Sequence, residues 1–284
     1  MKTLVLACID GSTYAPAVCD AAAWAALRLE APLTFLHVLS KTQEPRPADL
    51  SGSLGLGARE SLLEELAELD AKRGKLAQER GRQILAAAKE RAKNAGVASP
   101  EALQRHGGLV ETLSELEGGI RLLVLGRRGE AADVAKEHLG SHLERVIRAM
   151  SRPILVTTAE FRAPQKIMLA FDGSATTRKG VDMVAASPLF KGLPCHLVMV
   201  GPDTAEARAQ LERARLRLES AGFETPAVIL PGEASSVLSQ YQQEHGIDLM
   251  IMGAYGHSRI RQLLIGSTTT EMMLKSTVPL LLLR

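Results

Sequence analysis

The tripeptide Asp-Gly-Ser stands at residues 10–12 and again at 172–174, and the same 162-residue offset relates Pro32 to Pro194 and Val38 to Val200. Each copy closes an apolar run of strand character, Thr3–Ile9 in the first and Lys166–Phe171 in the second. A second landmark pair, Gly126 and Gly253, lies 127 residues apart. The first copy therefore carries 35 extra residues (162 minus 127) between its second strand and that glycine. The 284 residues suffice for two domains, each with its own core. The join falls at Ala159–Gln165, so the expected units are 1–160 and 161–284.

Between the landmarks, strands alternate with helices. In the first copy a helix is predicted over about Pro16–Leu29 and a strand over Leu33–Leu39. A loop rich in Pro, Gly and Ser (Lys41–Gly57) leads into a helical block, Ala58–Ala95, in which Leu62, Leu66, Leu69, Leu76, Ile84 and Leu85 fall near helical spacing. Unbroken, that block would be about 55 Å long at 1.5 Å per residue, so Gly74 and Gly81 are expected to split it into two helices. Arg73 and Arg80 interrupt its apolar seam and weaken a coiled-coil reading. Further strands are expected at Ala102–Arg105, Leu122–Leu125 and Pro153–Thr157, with helices at Val110–Glu117 and up to Ala149. The second copy follows with strands at Cys195–Val200, Ala227–Leu230, Leu249–Met252 and Pro279–Leu283, and helices at Ala205–Ser220 and Ser235–Glu244. Two copies of β-α-β-α-β-α-β-α-β imply an α/β fold with two open five-stranded parallel sheets, helices on both faces.

The most informative stretch of the second copy is Gly253–Thr270. Gly253-Ala254-Tyr255-Gly256 follows an apolar strand, nine residues intervene, and Gly266-Ser267-Thr268 precedes a helix. The glycines let the backbone turn sharply without a blocking side chain, and unpaired N–H groups at a helix start favour a phosphate. Thr268 with Glu271 fits a capping box, so the helix is expected to begin there.

Composition excludes several classes. A formal charge of +2 argues against a nucleic-acid binder, and neither half is a charged tail: 21 basic and 21 acidic residues up to Glu160, then 13 and 11. Aromatics are 3% of the chain, so Ala, Leu and Val must fill the interior, and Trp24 is expected to pack rather than bind. Cys8, Cys19 and Cys195 lack metal-type spacing and read as buried reduced thiols. No apolar run is long enough to span a bilayer, and Met1-Lys2 runs straight into a strand, so a cytoplasmic protein without membrane contact is expected. There is no Gly-Lys-Ser/Thr phosphate loop and no Gly-x-Ser-x-Gly elbow. Gly55-Leu56-Gly57 lacks the third glycine of a dinucleotide fingerprint, and Gly140 interrupts the His138/His142 pair, so no metal and no catalytic residue is assigned.

Asp-Gly-Ser after the first strand, with Gly-x2-Gly-x9-Gly-Ser after the fourth, resembles the universal stress protein family, here in tandem over nearly the whole chain. The resemblance implies two Rossmann-like domains related by pseudo-two-fold symmetry, with ATP bound where the glycine pattern is intact. In the C-terminal half it implies that Asp172 meets the adenine region beside a wall of Ala170 and Phe171, and that Val200 packs on the base. Met252 and Gly253 would run along the adenosine, Gly256 would lie near ribose and phosphates, and Gly266, Ser267 and Thr268 would hold the phosphates. His257 and Arg259 lie in the same loop, and a Mg²⁺ arriving with ATP would be held mainly by phosphates and water.

The N-terminal half departs from the pattern. Ten residues, not nine, separate Gly129 from Gly140-Ser141, and the loop carries Glu130, Asp133 and Glu137 against Lys136 alone. Each uncompensated charge costs roughly 1 kcal/mol at ~4 Å from a phosphate in water, more when shielded, offset in part by Arg127 and Arg128. The site formed by Asp10, Val38, Gly126, Gly129, Gly140 and Ser141 is therefore expected to be degenerate, and the 35-residue insertion is placed to cover it. The family's closing strands imply intramolecular pairing of Pro153–Thr157 with Pro279–Leu283, and a homodimer of such chains stays open. The functional reading is a nucleotide-dependent stress or signalling module. A slow ATP hydrolase using the Asp172 and Arg259 neighbourhood, or a nucleotide-free interaction scaffold, stays open beside it.

Overall fold

The computed structural model describes residues 3–39, 56–130, 141–254 and 266–284. The N-terminal strands are β1 (Leu4–Cys8), β2 (Leu33–Leu39), β3 (Glu101–His106), β4 (Ile120–Gly126) and β5 (Ile154–Thr157). Their helices are α1 (Ala15–Leu29), α2 (Leu56–Asn94), α3 (Leu109–Leu116) and α4 (Ser141–Ala149). The C-terminal half contributes β6 (Ile167–Ala170), α5 (Ala175–Ala186), β7 (Cys195–Val200), α6 (Ala205–Glu219), β8 (Ala227–Leu230), α7 (Ala234–His245), β9 (Leu249–Gly253), α8 (Ser267–Lys275) and β10 (Leu280–Leu283).

All ten strands lie in one sheet, in the order β3-β2-β1-β4-β5-β10-β9-β6-β7-β8. Each half is a parallel five-stranded unit wound the same way, its first strand central and the switch point beside it. The halves meet where β5 and β10 run antiparallel, pairing Val156 with Leu280, Leu155 with Leu281 and Ile154 with Leu282. Two apolar strands that would otherwise be bare edges thereby satisfy their backbone groups on each other. Arg28 reinforces the junction by donating from Nε to the carbonyl oxygen of Leu189 at 3.0 Å.

The period-2 alternation of the strands sorts the core into two layers. Val5, Phe35, Val124, Leu169 and Leu197 face α1, α2, α5 and α6. Leu6, Leu36, Leu123, Met168 and Val198 face α3, α4, α7 and α8. With so few aromatics, close approach comes from small residues: Ala21, Ala22 and Ala25 of α1 are fully buried. Trp24 packs, its ring 5.7 Å from that of Phe161 across the halves. Cys19 and Cys195 are free, buried thiols whose pKa is pushed up to about 12 by burial, and that of the free Cys8 is raised as well.

The expected split of the helical block does not occur: α2 is one helix of 39 residues, about 58 Å long. Gly74 has nothing within 4 Å of the position a Cβ would take, so it costs only the ~1 kcal/mol of glycine in a helix interior. Gly81 is a packing contact, since a Cβ there would collide with Gln104 and His37. Spaced ion pairs, Lys72 with Glu68 at 3.7 Å and Arg82 with Glu79 at 2.6 Å, support the exposed turns. Leu85, Ala88 and Ala92 bury the C-terminal part against the sheet, while residues 64–77 stand in solvent.

Candidate functional site

In the C-terminal half the chain leaves β6 through Phe171-Asp172-Gly173-Ser174. Phe171 is buried and its N–H continues the ladder to the Val198 carbonyl at 2.8 Å. The Asp172 carboxylate then bends the chain back, its Oδ1 accepting from the Ser174 N–H at 2.9 Å and the Thr177 hydroxyl at 2.7 Å. Gly173 sits at φ +73°, with the Gln210 side chain of α6 filling the space where a Cβ would lie. Sheet pairing sets Leu169 beside Ile251, so the chain leaves β6 alongside the end of β9, where Met252 is buried and Gly253 half-buried. Val200, half-buried, ends β7 on the other side of β6.

The return to α8 is drawn against the end of β9. The Gly266 N–H donates to the Ala254 carbonyl at 3.3 Å, and the Thr269 hydroxyl donates to the Gly253 carbonyl at 2.9 Å. The helix begins at Ser267 with Gly266 as its N-cap, two residues before the expected N-cap Thr268, and the Thr268–Glu271 capping box does not form. Glu271 instead pairs with Lys275 at 2.5 Å. The other three helices of this half are capped by side-chain acceptors, from Ser174, Thr204 and Glu233. Glycine has no such acceptor to offer the first turn of α8, where Ser267 is exposed and Thr268 half-buried. Gly256, His257 and Arg259 lie outside the described residues.

The N-terminal crevice occupies the equivalent place and encloses a cavity of about 460 Å³. Asp10 makes the same turn as Asp172, its Oδ1 accepting from the Ser12 N–H at 3.0 Å. Its Oδ2 accepts from the Glu130 N–H at 2.9 Å, which draws the Gly129-Glu130 turn onto β1. Val38, Gly126 and Gly129 line the cavity, and Ser141 opens α4. Gly140, Asp133, Lys136 and Glu137 lie outside the described residues.

Three contacts here follow no local sequence pattern. Arg80 of α2 reaches the Glu130 carboxylate at 2.5 Å, so an acid that looked uncompensated has a cation from the insertion. Ala77, Arg80 and Ile84 of that helix line the cavity. Arg127, which also lines the cavity, donates from its guanidinium to the carbonyls of Leu274, at 3.3 Å, and Ser276. Thr269, on the far strand-to-helix return, could have been marked only by its being a hydroxyl at a helix start.

Comparison with known proteins gives one answer. The model of the universal stress protein family matches twice, over residues 1–158 and 164–284, and the chain belongs to that family. It is 39% identical over 288 residues to the universal stress protein Slr1230 of Synechocystis sp., covering 100% of both chains. The crystal structure of a universal stress protein from Archaeoglobus fulgidus shares the fold at a TM-score of 0.73 and 18% identity, covering 99% of this chain and 98% of its own. Universal stress proteins solved in complex with cAMP and with dAMP each cover 43% of this chain, at 22% and 18% identity and TM-scores of 0.38 and 0.35.

Proposed function

We propose that this chain is a nucleotide-dependent stress or signalling module that binds ATP in its C-terminal crevice. The observation that carries the reading is the closure of the β9–α8 corner. The Gly266 N–H meets the Ala254 carbonyl, and the first turn of α8 starts from a residue with no side-chain acceptor. Such a helix start, at the carboxyl end of a strand beside a topological switch point, suits an anionic phosphate tail.

The donor set fits a nucleotide. Ala170, Phe171 and Val200 supply apolar surface for the base, and Asp172 supplies an acceptor already oriented by Ser174 and Thr177. Met252 and Gly253 leave a smooth wall, and Gly266, Ser267 and Thr268 offer N–H groups and hydroxyls to the phosphates, with Gly256, His257 and Arg259 in the loop between. A Mg²⁺ accompanying ATP would take its ligands mainly from phosphates and water. Among the described residues no group of three His, Cys, Asp or Glu side chains could hold a metal by itself.

In the same reading the two units divide at 160/161, and the β5–β10 seam replaces a dimer contact about a pseudo-two-fold axis. The module would work in the cytoplasm; among the described residues no helix is long and apolar enough to cross a membrane. The test is mass spectrometry of small molecules released from purified, denatured protein, followed by calorimetric titration with ATP. One ATP per chain, weakened at least tenfold by Asp172→Ala, is the expected result. Protein that purifies without nucleotide and does not take up ATP would end the proposal.

A further inference from the structure

We infer that the exposed part of α2 is a self-association surface, on which a second copy of this chain lays the same stretch of its own α2 antiparallel. The length of α2 exceeds what its place in the fold requires. Its counterpart α6 joins β7 to β8 in 15 residues, whereas α2 has 39. Leu85, Ala88 and Ala92 pack its C-terminal part on the sheet, while every residue from 64 to 77 is exposed. Of the six exposed large apolar side chains among the described residues, three stand in this stretch: Leu66, Leu69 and Leu76, the last 71% exposed. At about 100° per residue they fall within an arc of roughly 80°, so they form one stripe. Two arginines share its register. Arg80 leaves the stripe for Glu130, and Arg73 alone remains within it.

Charge decides what covers the stripe. Residues 64–70 hold Glu64, Glu65, Glu68 and Asp70 and no base, whereas residues 71–77 hold Lys72, Arg73 and Lys75 and no acid. A second copy laid parallel would set acid on acid and base on base. Laid antiparallel, it sets each block on the opposite one, on both sides of a two-fold axis. In the register that stacks Leu66 on Leu69 of the second copy, the positions flanking the stripe bring Glu65 opposite Lys72 of that copy, twice by symmetry. Arg73 fits the same contact, its stem along the leucines and its guanidinium carried toward the acidic block that faces it. The pairs within the helix, Lys72 with Glu68 and Arg73 with Asp70, are both 3.7 Å long and at least 58% exposed, which leaves these charges accessible to a second copy. Antiparallel packing also holds the two globular parts at opposite ends of the helix pair. Fourteen residues at ~1.5 Å each give a contact about 21 Å long and one helix wide. That is below the ~800 Å² per partner of a standard interface, so the dimer is weak and concentration-dependent.

Sedimentation velocity of the full chain without nucleotide, from about 1 to 200 µM, tests this independently of the nucleotide reading. The wild type is expected to pass from monomer to dimer across that range. Leu69→Glu with Leu76→Glu should raise the dissociation constant at least about tenfold, with circular dichroism confirming the fold. Two further variants test the charge pattern. Glu64→Lys, Glu65→Lys and Glu68→Lys together make the stretch predominantly basic, and Lys72→Glu, Arg73→Glu and Lys75→Glu together make it wholly acidic. Each is expected to be monomeric alone, and an equimolar mixture is expected to form a heterodimer. A wild type that stays monomeric throughout overturns the proposal and gives the stripe to another protein or another segment of this chain. A dimer indifferent to the leucine substitutions overturns it as well. Charge variants that each dimerise as the wild type does, or a mixture that stays monomeric, overturn the antiparallel charge pairing.

Discussion

Arg127 of the N-terminal half caps the helix of the C-terminal half that ends at Lys275, its guanidinium donating to the carbonyls of Leu274 and Ser276. These are among the last carbonyls of α8, which lack intrahelical donors, and a cation there also complements the helix dipole. The main-chain N–H of the same residue bonds to the Thr157 carbonyl at 3.1 Å, so Arg127 ties β4, β5 and α8 together. Arg127→Ala leaves two carbonyls without this donor, and a destabilisation of about 1–3 kcal/mol is expected. Urea unfolding should show a lower midpoint at unchanged slope, with faster amide exchange in the last turn of α8. Arg127→Lys, which keeps the charge but not the fork, should recover only part of the loss.

Gly74 offers the opposite sign. It lies mid-helix in the solvent-exposed stretch of α2, with open space for at least 4 Å around the place a methyl group would occupy. Gly74→Ala should stabilise the helix by about 0.5–1 kcal/mol, read as increased helicity and a raised melting temperature. Gly81→Ala should do the reverse, because the added methyl meets His37 and Gln104. If Gly74→Ala lowered helicity, the chain would be breaking there after all.

What could be read from the sequence follows the range of the interactions involved. Leu33–Leu39 and Cys195–Val200 are legible because a short, nearly continuous apolar run is a local signal, and the observed strands have those bounds. The tandem plan is legible because its landmarks recur at fixed offsets. The continuity of α2 is not, since glycine propensity is weak against a long run of helix formers and spaced ion pairs. The start of α8 moves to Ser267 because tertiary bonds from Gly266 and Thr269 to the end of β9 decide it, not the Thr268–Glu271 spacing. Arg80 and Glu130 are 50 residues apart, joined only by the packing of α2 over β2 and β3, and no local motif announces them.

Gly173 tests whether the turn after β6 tolerates a side chain. Its φ of +73° is a left-handed conformation that other residues adopt at a cost, and Gln210 occupies the adjoining space. Gly173→Ala should destabilise the protein by about 1–2 kcal/mol, part of it backbone strain and part steric. Adding Gln210→Ala should relieve only the steric part, since the flexible amide is then gone while φ is unchanged. Chemical denaturation of the two single variants and the double separates these contributions. Full recovery in the double variant would mean that the backbone is unstrained.

The buried His196 gives the fold a pH dependence of definite sign. Its Nδ1 lies 2.9 Å from the Tyr241 hydroxyl, and its ring centroid is 5.4 Å from that of His245, which stacks on Tyr241 at 4.0 Å. Burial lowers the His196 pKa, the Lys166 and His245 charges lower it further, and Glu224 opposes them. The folded imidazole therefore takes up its proton at lower pH than the unfolded one, so the unfolded state binds more protons below the ordinary histidine value of about 6.5. The contribution is fully present above that value and is lost as pH falls through the depressed folded value. Melting temperature should be insensitive to this group between about pH 7 and 8 and should decline below about 6.5. His196→Gln, which can still bond the Tyr241 hydroxyl but does not titrate, should flatten the decline while leaving neutral-pH stability little changed. Melting curves for both proteins from pH 8 to pH 5 decide it: parallel declines would assign the acid sensitivity to other groups.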